Sequence, residues 1–176
     1  MKRLFTAILF IFFAISPAFS QLSKGTMIMV YPKRPISTET YQEGDFAYFV
    51  NPSDVWQGEK NIFPKNSVFI GHVNFLKMPV QGVNGAISIK ITEVVYPNGA
   101  SRNINATIHH GGKAIIGGNL THPASYNTSI HLQRGFGRGA LQWVPSGEYE
   151  FGKHTTIHQN EAVFVVLDDK FIPLGY

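Results

Sequence analysis

Ile87, Ile89 and Ile91 alternate with Ser88, Lys90 and Thr92, and Pro97-Asn98-Gly99 follows close behind. Strict alternation sends the isoleucines to one face of a strand and the polar residues to the other, the pattern of a strand covered on one side. Val94-Val95-Tyr96 breaks the alternation. Pro97 then fixes one φ angle while Asn98 and Gly99 tolerate positive φ, so the chain turns back at once. A hairpin of Ala86 to Tyr96 with Arg102 to His109 is the firmest local consequence.

The same reading gives further strands at Thr26 to Tyr31, Phe46 to Val50, Val68 to Leu76, Ser129 to Gln133, Gly147 to Phe151 and Ala162 to Asp168. Ala162 to Leu167 is apolar on both faces and belongs in the interior with a neighbour on each side. Val, Ile, Phe, Tyr and Thr are frequent, and the 17 Gly and 10 Pro are spread along the chain as turn signals. No stretch keeps a helical period. The predicted fold class is all-β: a single small β-barrel or sandwich of about eight short strands, after an N-terminal signal helix.

That helix is the opening segment. Lys2 and Arg3 precede an apolar run from Leu4 to Ile15, Ser16 and Pro17 break it, and Ala18-Phe19-Ser20 offers small residues where a signal peptidase cuts. This is the order of a cleavable signal peptide. A run of about a dozen residues is also short of the roughly 20 that span a bilayer. The domain reading is therefore a signal peptide over 1–20 and a β-rich exported domain over 21–176, beginning at Gln21 after cleavage.

Cysteine is absent. An exported chain without it has no disulfide to lean on, so its stability must come from buried apolar surface. It also has no thiolate for a metal site and no cysteine to carry a lipid. The formal charge is +4, but without Lys2 and Arg3 there are 13 basic residues against 11 acidic ones, scattered without a run. That argues against nucleic acid as a partner. Membrane contact is expected only through the signal peptide.

Several motifs fit the letters of known chemistry without its context. Gly135-Phe136-Gly137-Arg138-Gly139 spells a dinucleotide fingerprint, yet Pro145 and Gly147 follow where a helix is needed. It lies in a glycine-rich, irregular section, 111–139, which reads as a flexible loop more readily than as a binding insertion. His154 and His158 have helical ligand spacing, with His109-His110 as a third imidazole, but in a strand positions four apart lie about 13 Å from each other. Asp45, Asp54, Glu93, Glu148 and Glu150 are the carboxylates available for acid–base work, and nothing in the sequence sets two of them opposite each other. No Gly-x-Ser-x-Gly elbow is present. No catalytic, cofactor-binding or metal-binding residues are assigned. Trp56 and Trp143, with Tyr126, are candidate rings for stacking a ligand, against the plainer reading of core or rim packing. Asn105-Ala106-Thr107, Asn119-Leu120-Thr121 and Asn127-Thr128-Ser129 match the glycosylation sequon. A terminal Tyr176 is a feature of outer-membrane barrels, but the repeated lipid-facing alternation is missing.

One segment points to a family. Asn61-Ile62-Phe63-Pro64-Lys65-Asn66-Ser67-Val68-Phe69-Ile70-Gly71-His72-Val73 resembles the "Pro-Lys-Gly-Ser/Thr, then Gly-x-Val" stretch of the TrbI-like conjugation and type IV secretion β-barrel family. Tyr96-Pro97-Asn98-Gly99 and the strand from Arg102 sit where that family has its next hairpin. Ile36-Ser37-Thr38 and Gly44-Asp45 resemble a phrase of its small exported relatives. The resemblance spans roughly residues 36 to 108. Asn66 departs from the family's glycine, and the long proline-rich arm, the internal anchor and the helix pair of channel subunits are not apparent in the sequence. What it implies is a stand-alone exported barrel without catalytic residues, which assembles with envelope proteins in the periplasm or outside the cell. An envelope polysaccharide-binding module and a hydrolase with a carboxylate or histidine site remain as alternatives.

Overall fold

A computed structural model describes residues 21–129 and 142–173. The signal segment 1–20, the glycine motif at 135–139 and Tyr176 lie outside the described residues. Thirteen strands follow one another, with no helix among the described residues: β1 (Met27–Pro32), β2 (Ile36–Ser37), β3 (Phe46–Val50), β4 (Val55–Gln57), β5 (Lys60–Phe63), β6 (Val68–Lys77) and β7 (Ala86–Val95). Then come β8 (Ser101–His109), β9 (Ile116–Gly117), β10 (Pro123–Ser129), β11 (Gln142–Tyr149), β12 (Thr156–Ile157) and β13 (Val163–Leu167).

Six of them close a barrel. The order β6-β3-β1-β13-β8-β7 returns on itself through a β6–β7 pairing, and β9 adds to β7. All neighbours in the ring are antiparallel. Closure removes the free sheet edges that a chain without cysteine, and so without disulfides, would otherwise have to protect. The all-β expectation holds, and its barrel alternative is the one realised.

The interior follows from the alternation. Ile87, Ile89 and Ile91 point inward and are fully buried, and Lys90 and Thr92 point outward. β13 runs between β1 and β8, with Val163, Val165 and Leu167 buried and Phe164 and Val166 half-buried on the outside. Tyr96 N donates to Ala100 O and Gly99 N to Tyr96 O, which makes the Pro97-Asn98-Gly99 turn.

An aromatic plug seals one end. Phe63 on β5 packs its ring 5.2 Å from Phe69, 6.3 Å from Tyr96 and 5.4 Å from Phe171. Beside it, buried Asn51 donates from Nδ2 to the carbonyls of Ser53, Phe63 and Pro64, which ties the end of β3 to the β5–β6 turn. At that turn Ser67 Oγ donates to Pro64 O, and Asn66 takes a φ of 69°, the one positive value on a non-glycine residue among the described residues. The opposite end carries the β2–β12 pair and the β10–β11 hairpin.

One expected strand is shifted and one lies mostly outside the described residues: of Ser129 to Gln133 only Ser129 is described, as the last residue of β10. The predicted Gly147 to Phe151 strand begins earlier, at Gln142, and ends at Tyr149. The 111–139 section, read as irregular, contains β9 and β10. The five strands not expected, β2, β4, β5, β9 and β12, have two to four residues each, too few for a period to show.

Candidate functional site

The outer surface of the barrel is split by chemistry. Met27 and Met29 on β1 point outward opposite Val166 and Phe164 of β13. Tyr31 lies opposite Val50 of β3, and Tyr48 and Val50 lie opposite Ile70 and Val68 of β6. Apart from His72, which lies opposite Phe46, the outward positions in this register are apolar or aromatic, so they build one wall across β13, β1, β3 and β6. Its most exposed members are Phe46 (59%) and Met27 (55%). Met, Tyr and Phe, which this wall exposes, are among the side chains enriched at the centres of protein interfaces.

The other side is polar. On β7 and β8, Lys90, Thr92, Glu93, Asn103, Asn105, Thr107 and His109 face outward. Lys90 Nζ lies 2.6 Å from Asp168 Oδ2, and Thr107 Oγ1 donates to the same oxygen at 2.7 Å. Partial burial works against the charged form of Asp168. The hydrogen bonds from Lys90 and Thr107, with the charges of Lys90 and His109, outweigh it and hold the carboxyl below its ordinary value. Asn105, the first sequon asparagine, donates to Asp169.

The residues singled out in the sequence are dispersed. Trp56 is exposed on β4 by the plugged end, and Trp143 sits on β11 opposite Thr128, in a separate sheet. His154 Nδ1 lies 3.1 Å from Thr38 Oγ1, and His110 Nε2 lies 3.0 Å from Glu161 Oε1. His109 is on the outer face of β8, and His158 is exposed. Among the described residues no cluster of three His, Asp or Glu is placed to hold a metal ion. Asp45 accepts from Gln42 N, and Asp54 from Lys65 N. The Lys65 bond, helped by Asn61, lowers the pKa of Asp54. Glu93 lies opposite Asn103, Glu148 accepts from Gln81, and Glu150 follows β11.

Two hollows lie away from the wall. One, of about 360 Å³, is lined by Thr38 to Glu43 with Leu76 and Met78. Beside it Arg34 Nε donates to Tyr41 Oη and the guanidinium rests 5.5 Å from that ring. The other is at the base of the β10–β11 hairpin.

No helix among the described residues is long and apolar enough to cross a membrane. No known protein family matches the chain, and no curated protein matches it. Among solved structures it is similar to ComB10 of the Com type IV secretion system of Helicobacter pylori. The sequence identity is 15%, the TM-score is 0.48, and 86% of this chain and 89% of that chain are covered.

Proposed function

We propose that this chain is an exported envelope protein whose barrel works by holding another protein against its apolar wall, without catalysing a reaction. The single observation behind this reading is the outward apolar surface of β13, β1, β3 and β6. A barrel needs its inward residues for its own stability, and Met27, Met29, Phe46 and Tyr48 contribute nothing to that interior. Leaving them in water costs solubility unless a partner covers them.

The segment read as a signal peptide supports export, with cleavage after Ser20 and a working domain from Gln21 onward. The motifs shared with the TrbI-like family support a small barrel-only relative of it. Pro64-Lys65-Asn66-Ser67 forms the turn into β6, and Pro97-Asn98-Gly99 the turn between β7 and β8.

The test is photocrosslinking in intact cells that make the protein. A crosslinking residue at Phe46 or Met27 on the wall is compared with one at Thr92 or Asn103 on the polar side. The expected result is a discrete adduct with one envelope protein from the wall positions only, lost when Tyr48 is changed to Glu. Adducts formed equally from both sides, or none from the wall, would overturn the reading.

A further inference from the structure

The two most exposed large hydrophobic side chains named on the surface are not on the wall. Leu120 (75%) and Phe151 (68%) stand together at the base of the β10–β11 hairpin, lining one open cavity of about 310 Å³. The same cavity is lined by Asn119, His122, Glu150 and Lys153. Among the described residues, none of these four side chains makes a hydrogen bond or ion pair. Apolar surface and unspent polar groups therefore face one hollow.

The frame beneath them is tied by backbone hydrogen bonds, and the sequence brings it together from three distant places. Gly82 N donates to Glu150 O, Thr121 N to Gly82 O, Asn84 N to Asn119 O and Glu150 N to His122 O. Asn84 Oδ1 also accepts from Lys153 N at 2.8 Å. The backbone of the three segments is thus bonded to itself. It offers no row of free N–H and C=O groups to which an extended peptide would add as a strand.

We infer that this cavity binds a short glycan, with one sugar face stacked on the ring of Phe151. A pyranose has an apolar face of C–H groups and a rim of hydroxyls that both donate and accept. The cavity supplies a matching set: the Phe151 ring beside Leu120, an amide at Asn119, an acceptor at Glu150 and a donor at Lys153. One carboxylate and one ammonium, with no net charge between them, do not suit a phosphate or another anion, which calls for clustered donors. The volume is at the small end of the roughly 300–1,000 Å³ of small-molecule sites, which fits a short oligosaccharide.

The experiment is a titration of the purified protein with chitotriose, cellotriose, maltotriose and mannotriose, followed by amide resonance shifts. The expected result is a saturable shift, with at least one of the four, at amides of 119–122 and 150–153. Phe151→Ala weakens that binding by roughly tenfold or more, Phe151→Trp keeps it, and Leu120→Ala weakens it in a background where the hairpin base is untouched. Tyr48→Glu on the wall leaves it unchanged, so the glycan site and the protein-docking reading stand or fall separately. No saturable shift with any of the four, shifts confined to other parts of the barrel, or binding that survives Phe151→Ala would overturn the proposal.

Discussion

Gly71 lies opposite Ile91 across the seam that closes the barrel, and a Cβ on Gly71 would stand 2.7 Å from Cδ1 of Ile91 and closer still to the Lys90 carbonyl oxygen. The β6–β7 register slips between Ile70 and Gly71 at this same place. A bulge bends its strand and increases the local twist, which is what turning a sheet back on itself requires. The close approach is therefore part of how the ring shuts. Gly71→Ala should lower unfolding free energy by about 1–3 kcal/mol, as overpacking of a filled interior does. Gly71→Val should cost more. Urea unfolding measures both, and an alanine variant as stable as the parent would show that the seam has slack.

Asn66 tests the turn that starts β6. Its φ of 69° is in the left-handed region, where a Cβ costs roughly 1–2 kcal/mol and Asn is better tolerated than most residues. Asn66→Gly should be neutral or slightly stabilising, and Asn66→Val should lose about 1–2 kcal/mol. Thermal unfolding of the pair gives the order. Equal stability of the two variants would mean that the turn does not hold this geometry in solution.

Asp168 gives the barrel a pH dependence. Its pKa in the folded chain is below the ordinary 3.8, so the folded state favours the carboxylate. A group with a depressed pKa stabilises fully above its unfolded value, and the contribution is lost as the pH falls through the folded one. Solvent screens a pair this exposed, so Asp168→Asn should cost about 0.5–1 kcal/mol at pH 7. The gap between parent and variant should shrink below about pH 4. Unfolding curves at pH 7, 5 and 3 read it directly, and a gap that stays constant down to pH 3 would assign the loss to something other than the charge.

Much of the fold was legible because single strands carry their own evidence. Ile87, Ile89 and Ile91 gave the inward face of β7, and Asn98-Gly99 gave its turn. What pairs with what was not legible, because the β6–β7 closure runs through two register shifts that no period announces. The wall was hidden for a different reason. Met27 and Met29 alternate with Ile28 and Val30, and Phe46 and Tyr48 with Ala47 and Phe49, so β1 and β3 are apolar on both faces. In sequence that pattern reads as burial on both sides, and only the closed ring reveals that one side faces out. The cavity at Phe151 was invisible for want of any local signal, since its parts come from Asn84, from Asn119 to His122 and from Glu150 to Lys153, far apart along the chain.

The wall itself can be probed without knowing what covers it. Phe46, Met27 and Tyr48 point away from the interior, so exchanging all three for Ser removes apolar surface that the folded chain leaves in water. Each exchange of this kind away from the core should change stability by no more than about 0.5 kcal/mol. Binding of a hydrophobic dye by the native protein should fall by at least half, because that patch is where the dye finds apolar surface. The two readouts separate the roles: a large loss of stability would mean that these side chains pack within the barrel after all, whereas unchanged dye binding would move the exposed apolar surface elsewhere, to the region of Leu120 and Phe151. A dye signal that drops while unfolding free energy holds is the result that a surface kept for a partner requires.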